Sequence, residues 1–267
     1  MPDFTELKAK QKVMWGLGEY EEVAKGLHAA QDHVIRVARI QPGERVLDVA
    51  TGTGNTALKA RAMGASVTGY DLAPDLLAVA RKKAEAAGFA DIRFDEGDAA
   101  AMPYEDGAFD VVLSTCGHMF APDQEQVGRE MARVTRKGGR IAFMAWTPES
   151  GVGGLFKVIA KHVPPPADVP SPFRWGTQDA VRALLPHVTD LHFETGDSVD
   201  TQPTAEAITK LYATKYGPTV RALASLEGAK RDALHADLLA FFKTYVTPAD
   251  NKARWGREYL LTAARRV

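Results

Sequence analysis

The chain is nearly without cysteine: of its 267 residues only Cys116 carries a thiol. An internal disulfide is excluded, and a lone thiol fits a reducing, cytoplasmic compartment. Long apolar runs are missing, so no segment reads as a membrane span. An excess of one charge is missing too, with 33 Lys plus Arg against 34 Asp plus Glu. That balance predicts no general attraction to nucleic acid or anionic lipid. The opening stretch MPDFTELKAKQK has no apolar centre and does not read as a secretory signal. His28, His33, His162, His187, His192 and His235 show no metal-ligand spacing, so no metal is expected.

What is present is an alternation. The first 40 residues read as two helices, TELKAKQKVMW and EEVAKGLHAAQDHVIRVARI. In the second, Val23, Leu27, Ala30, Val34 and Ala38 recur at helical spacing. ERVLDVA, ASVTGYD, DIRFDEGD, AFDVVLST and RIAFMAW read as strands. NTALKARAMG, APDLLAVARKKAEAAG and PDQEQVGREMARVTRKGG read as the helices between them. Apolar strands separated by helices predict a parallel sheet covered on both faces. After Trp146 the rhythm changes to a Pro- and Gly-rich stretch, Pro148 to Gly176, which reads either as a connector or as a lid. A short helix is expected around Leu155 to His162, then helix TQDAVRALLP and strand VTDLHFETG. Residues 204–245 read as two helices around Tyr216-Gly217-Pro218, and GREYLLTAARRV as a last strand.

The chemistry starts at Val46 to Ala57, VLDVATGTGNTA. Gly52-x-Gly54-x-x-Ala57 lies between a strand and a helix, where glycine permits positive φ and close approach of a ligand. Asp71 follows at the end of the second strand, where a carboxylate can take both hydroxyls of a ribose. On the residues alone a dinucleotide and S-adenosylmethionine both remain open. Four features favour the second: Asp48 before the glycines, Gly97-Asp98-Ala99 after the third strand, the run Met102 to Asp110, and Thr115 at the carboxyl end of the fourth strand.

Taken together, VLDVATGTGNTA, Tyr70-Asp71-Leu72, GDAAAMPYEDGAFDVVLST and Gly138-Gly139 resemble the class I S-adenosylmethionine-dependent methyltransferases, most closely the branch around the ubiquinone/menaquinone biosynthesis enzymes. The likeness spans roughly residues 40 to 147. Ala50 stands where that loop usually has its first glycine, and Gly117-His118-Met119-Phe120 stands where the quinone enzymes carry an Arg-Asn pair. The fold implied is α/β, a Rossmann-like doubly wound, mostly parallel sheet with an antiparallel last strand. N-terminal helices and a helical insertion before the last strand would complete one domain, 1–267, with cap elements at about 1–40, 148–186 and 204–245. The resemblance implies that Gly52, Thr53 and Gly54 line the methionine end with Asp48 nearby. Asp71 would hold the ribose, Leu72 would pack on the adenine, Asp98 and Ala99 would meet its edge, and Thr115 would lie beside the sulfonium.

The function expected is methyl transfer from S-adenosylmethionine to a small, partly apolar molecule by in-line displacement, in which alignment matters most. A base is needed only if the acceptor must lose a proton. His118, just past the fourth strand, is the candidate, with a role in shaping the acceptor pocket as the alternative. Cys116 reads as a small buried residue. The acceptor pocket is expected from Trp15, Tyr20, Phe173-Arg174-Trp175, Tyr212, Lys215 and Tyr216. The rivals are a cofactor binder that does not methylate and a dinucleotide-dependent oxidoreductase.

Overall fold

The apolar runs and the amphipathic segments stack, in a computed structural model, as one sheet between layers of helix. The structure describes residues 3–247 and 249–267; Met1 and Pro2, which begin the opening mixed-charge stretch, and Pro248 lie outside the described residues. Three helices come first, α1 (Thr5–Gly16), α2 (Tyr20–Ala24) and α3 (His28–Ala38). The alternating part runs β1 (Arg45–Val49), α4 (Asn55–Ala62), β2 (Ser66–Asp71), α5 (Pro74–Ala86), β3 (Arg93–Glu96), β4 (Phe109–Thr115), α6 (Gln124–Val134) and β5 (Thr135–Trp146). It continues through α7 (Gly151–His162), α8 (Gln178–Leu184), β6 (Val188–Asp197) and β7 (Asp200–Gln202). The insertion is α9 (Ala205–Lys215), α10 (Gly217–Ala224) and α11 (Gly228–Lys243), before β8 (Ala253–Trp255) and β9 (Glu258–Arg266).

The main sheet has the order β3-β2-β1-β4-β5-β9-β6. β1 pairs in parallel with both β2 and β4, while β9 runs antiparallel to β5 and β6. This is the doubly wound sheet with an antiparallel last strand. Val46, Leu47, Val49, Val111, Val112, Leu113 and the run Ile141 to Ala145 are fully buried, as strands covered on both faces must be. From β1 the chain winds outward to β3, then crosses back to β4 on the other side of β1. Loops leaving the carboxyl ends of β1 and β4 therefore diverge, and the crevice between them is where such sheets hold ligands.

Four sequence expectations are corrected. The sixth helix ends at Val134, not at Gly139: Thr135 turns extended (φ −80°, ψ 130°) and pairs with Phe109, and the register shift that follows absorbs the Gly138-Gly139 turn. The second N-terminal helix is broken at Lys25–Leu27 by a 3₁₀ turn around Gly26, a poor helix former whose carbonyl accepts from Arg257. The insertion holds three helices, because Ser225 to Glu227 separate α10 from α11. A two-stranded ladder, β7 with β8, was not foreseen; at three residues each, these strands are too short to show a period. No described helix is long and apolar enough to cross a membrane.

Helix α6 comes so close to the end of α8 that a Cβ on Gly128 would stand 1.7 Å from the carbonyl oxygen of Leu184. Gly128→Ala should therefore cost about 1–3 kcal/mol or more, because backbone rather than a flexible side chain must yield. Calorimetric melting checks this; a fall in Tm of less than about 2 °C would show that the two helices separate freely.

Candidate active site

Asp48 sits in the middle of an apolar strand and is 1% exposed. Its Oδ2 accepts from Thr51 Oγ1 at 2.6 Å, and its Oδ1 has no partner. Burial pushes its pKa up to about 7, against the pull of the Thr51 hydrogen bond. The loop that follows turns left-handed three times, at Ala50 (φ 54°), Gly52 (φ 56°) and Gly54 (φ 79°). Glycine adopts this at little cost; the alanine pays about 1 kcal/mol or more. A second loop presses on Ala50: a Cβ on Gly117 would stand 2.5 Å from the Ala50 Cβ. Gly117 is thus required by close approach, while the left-handed turn of this loop falls on Cys116 (φ 57°).

Asp71 ends β2. Its Oδ2 accepts from Gly52 N–H and its Oδ1 from Ala73 N–H, both at 2.8 Å. The carboxylate ties the glycine loop to the start of α5, and burial raises its pKa to about 6. Thr115 Oγ1 meets Thr56 Oγ1 at 2.8 Å, bridging the end of β4 to α4. Asp98 Oδ1 accepts from Ala100 N–H, and its Oδ2 pairs with Lys8 Nζ at 2.6 Å.

Asp48, Gly52, Thr53, Asp71, Leu72, Asp98, Ala99 and Thr115 all border one crevice, with about 1000 Å³ of empty space including its mouth. Gly54 does not border it. A Cβ there would meet Ala80 Cβ at 2.9 Å, so its part is the turn and the packing of the loop on α5. The N-terminal helices close the other side with Lys8, Gln11, Trp15, Tyr20 and Gln31. Sequence reading missed Gln31, whose buried Oε1 has no partner. The signal was there: Gln31 stands four residues after Leu27 and three before Val34, a polar residue on the apolar face of its helix.

A second cavity of about 340 Å³ adjoins the first, and Tyr20, Leu27, Cys116 and Phe120 border both. Trp146, Val152, Leu155, Tyr212, Tyr216, Trp255 and Arg257 help to line it. Trp15, Tyr20, Tyr212 and Tyr216 are thus in the expected region. Phe173, Arg174, Trp175 and Lys215 border neither cavity. Arg174 pairs with Glu125 and Lys215 with Glu19 at the surface. Phe173 packs on Phe156, and Trp175 lies buried beside Phe143.

His118 has an unusual setting for a candidate base. Its ring is fully buried between Phe143 and Trp175, at centroid distances of 4.7 and 4.8 Å, and neither nitrogen has a partner. His118 itself borders the crevice, whereas Phe143 and Trp175 do not. Burial lowers its pKa to about 3. Burial that holds the ring neutral and without a hydrogen-bond partner works against a role as general base. The four-residue 3₁₀ turn Gly117–Phe120 is too short for a pattern to tell which side its histidine takes.

Residues 46–139 match a family described as a methyltransferase domain. The chain is 37% identical over 259 residues to the uncharacterized protein Rv1403c of Mycobacterium tuberculosis, covering 95% of this chain and 93% of that one. It is 44% identical over 126 residues to demethylmenaquinone methyltransferase of Thermus thermophilus, covering 46% of this chain and 57% of that enzyme. The chain belongs to the class I S-adenosylmethionine-dependent methyltransferases. The solved structure of YcgJ from Bacillus subtilis has the same fold, with a TM-score of 0.59 at 20% identity over 90% of this chain and 98% of that one.

Two outcomes are expected at this site. Asp71→Asn must turn an NH₂ group towards one of two backbone N–H donors. It should lower both Tm and affinity for S-adenosylhomocysteine, the latter at least about tenfold; an unchanged dissociation constant in calorimetry would take Asp71 out of the site. His118→Leu removes two unpartnered polar atoms and should leave turnover within about threefold of the parent. His118 is neutral when folded and takes up a proton on unfolding below about pH 6.5, so its contribution to stability declines as pH falls towards 3. The raised pKa values of Asp48 and Asp71 act in the opposite sense but are common to both proteins. Urea titrations at pH 7 and 5 should therefore show the parent losing about 2 kcal/mol more than the variant. A hundredfold loss of turnover, with no such difference, would restore His118 as the base.

Proposed function

We propose that this methyltransferase transfers a methyl group in line to a small, partly apolar molecule seated in the second cavity, and that the whole chain works as one domain around the core at about 40–147. The observation that carries this is the junction of the two cavities at Tyr20, Leu27, Cys116 and Phe120, beside the carboxyl end of β4. A crevice suited to the cofactor thus adjoins a smaller compartment lined by rings. The likeness to demethylmenaquinone methyltransferase, which covers less than half of this chain, supports methyl transfer and leaves the acceptor to the cap.

The residues present fit the cofactor. Gln31 Oε1 and Asp48 Oδ1 are buried acceptors without donors, suited to the ammonium of the methionine end. Gly52 is open: a Cβ there would meet only Tyr20, at 3.9 Å. Each Asp71 oxygen has accepted one backbone N–H and keeps a lone pair for a ribose hydroxyl. Leu72 is placed to pack on the adenine, Asp98 and Ala99 to meet its edge, and Thr115 to lie beside the sulfonium. When bound, the cofactor supplies an electrophilic methyl group. The chain's own task is to hold the acceptor in line and keep water out, which can be worth roughly 7–11 kcal/mol. A dinucleotide fits less well, because the buried Asp48 borders the crevice beside the glycine loop, where a pyrophosphate would lie.

Calorimetry should show S-adenosylhomocysteine binding in the micromolar range, about −8 kcal/mol, and no binding of NAD(H). The reverse result would sink this reading, and binding without turnover on any small aromatic acceptor would leave a cofactor binder.

A further inference from the structure

The wall of the second cavity holds one charged side chain, Arg257, and no carboxylate. Arg257 lies in the turn between β8 and β9 and is 1% exposed. Most of its fork is spent on the protein. Nε donates to Ser198 O at 2.9 Å and Nη1 to Tyr212 Oη at 3.0 Å. Nη2 donates to Gly26 O at 2.7 Å and to Ser198 Oγ at 3.2 Å. A guanidinium has five N–H groups, so one on Nη1 is left over. Its ion-pair partner Asp200 keeps Oδ2 at 3.9 Å from Nη1, outside hydrogen-bond range. The oxygens of Asp200 are already served by Gln202 Nε2 and Tyr212 Oη.

Two further hydroxyls border the cavity. Tyr20 leans towards the Cys116 thiol, and Tyr216 packs at its side, with ring centroids 6.5 Å apart. Burial holds both phenols in the neutral form, able to donate. Between these groups the walls are Phe120, Trp146, Tyr212 and Trp255. The polar inventory is thus one guanidinium and three phenols, with no carboxylate, set among aromatic faces. An amine cation would find a guanidinium and no counter-charge; an oxyanion would find hydrogen bonds and a cation.

Resting on the methyl-transfer reading above, we propose that the second cavity selects a small aromatic acceptor that carries an oxyanion, a ring-borne carboxylate or phenolate, held by the spare Nη1 N–H of Arg257 with Tyr216 beside it. The balanced pair with Asp200 lets Arg257 stay buried before the acceptor arrives, and the acceptor completes its fifth N–H. An ammonium group would meet the charge of Arg257 with no carboxylate in the wall to offset it, which disfavours amine acceptors in this compartment.

The test is calorimetry on the full chain saturated with S-adenosylhomocysteine, titrated with benzoate, para-hydroxybenzoate, benzamide and benzylamine. The two carboxylates should bind at least about tenfold more tightly than benzamide, and benzylamine not at all. Tyr216→Phe and Arg257→Lys should each weaken benzoate and leave benzamide as in the parent. Should Arg257→Lys fail to fold, Tyr216→Phe carries the variant arm, with S-adenosylhomocysteine binding as the check of folding. Benzamide or benzylamine binding as tightly as benzoate overturns the proposal, and so does a loaded protein that takes none of the four. Failure to bind S-adenosylhomocysteine at all would instead overturn the methyl-transfer reading itself.

Discussion

One carboxylate holds the working end of the sheet together. Asp71 takes a backbone N–H from the loop after β1 and another from the start of α5, so two segments that leave neighbouring strands are fixed to the same pair of oxygens. A parallel sheet offers no tight hairpin to set such loops, since each strand ends in open space and its chain departs for the other layer. Without a side chain that accepts from both, the left-handed turns at Ala50 and Gly52 would have little to hold them. With it, the loop keeps a shape that presents backbone rather than side chain to the crevice. The cost is a buried acid, offset by the hydrogen bonds it receives.

The cap obeys a different rule. The sheet is built from local periods, but the cap is assembled around a buried cation. Arg257 reaches the turn before α3 through Gly26, the bend after β6 through Ser198, and α9 through Tyr212. Segments far apart in the chain share one guanidinium because each N–H it keeps in the interior must find an oxygen. Aromatic packing fills the rest: Trp15, Tyr20, Phe120, Tyr212 and Tyr216 form a chain of rings with centroids 5.0 to 6.5 Å apart, from α1 across to the insertion. The resulting compartment is apolar in area and polar at a few chosen points.

This division explains what could be read in advance. The alternation of strands and helices, the glycine loop and Asp71 are short-range features, each carried by a handful of consecutive residues, and they were legible. So were Leu72, Ala99 and Thr115, because they follow strand ends and strand ends face the crevice. Arg257 was invisible: one arginine near the end of a chain says nothing until Gly26, Ser198 and Tyr212 are brought around it. His118 was in the right loop, but the burial of its ring could not be read, since a single 3₁₀ turn has no periodicity to assign a face. Phe173 and Trp175 misled for a related reason. An aromatic in a Pro-rich stretch marks burial, and burial here is against Phe143 and Phe156 on the far side of the loop after β4.

The rim of the crevice is held unlike its floor. Helix α1 has no fully buried residue, and its first turns are fastened by Lys8 to Asp98 and Lys12 to Glu96, both pairs open to solvent. Its middle is held by Gln11 on the Phe120 carbonyl and its far end by Trp15 among rings. Exposed pairs are weakened by salt, whereas the buried Asp48 and Asp71 are screened far less. Raising the ionic strength therefore loosens the leading edge of α1 and leaves the buried acids behind it nearly untouched.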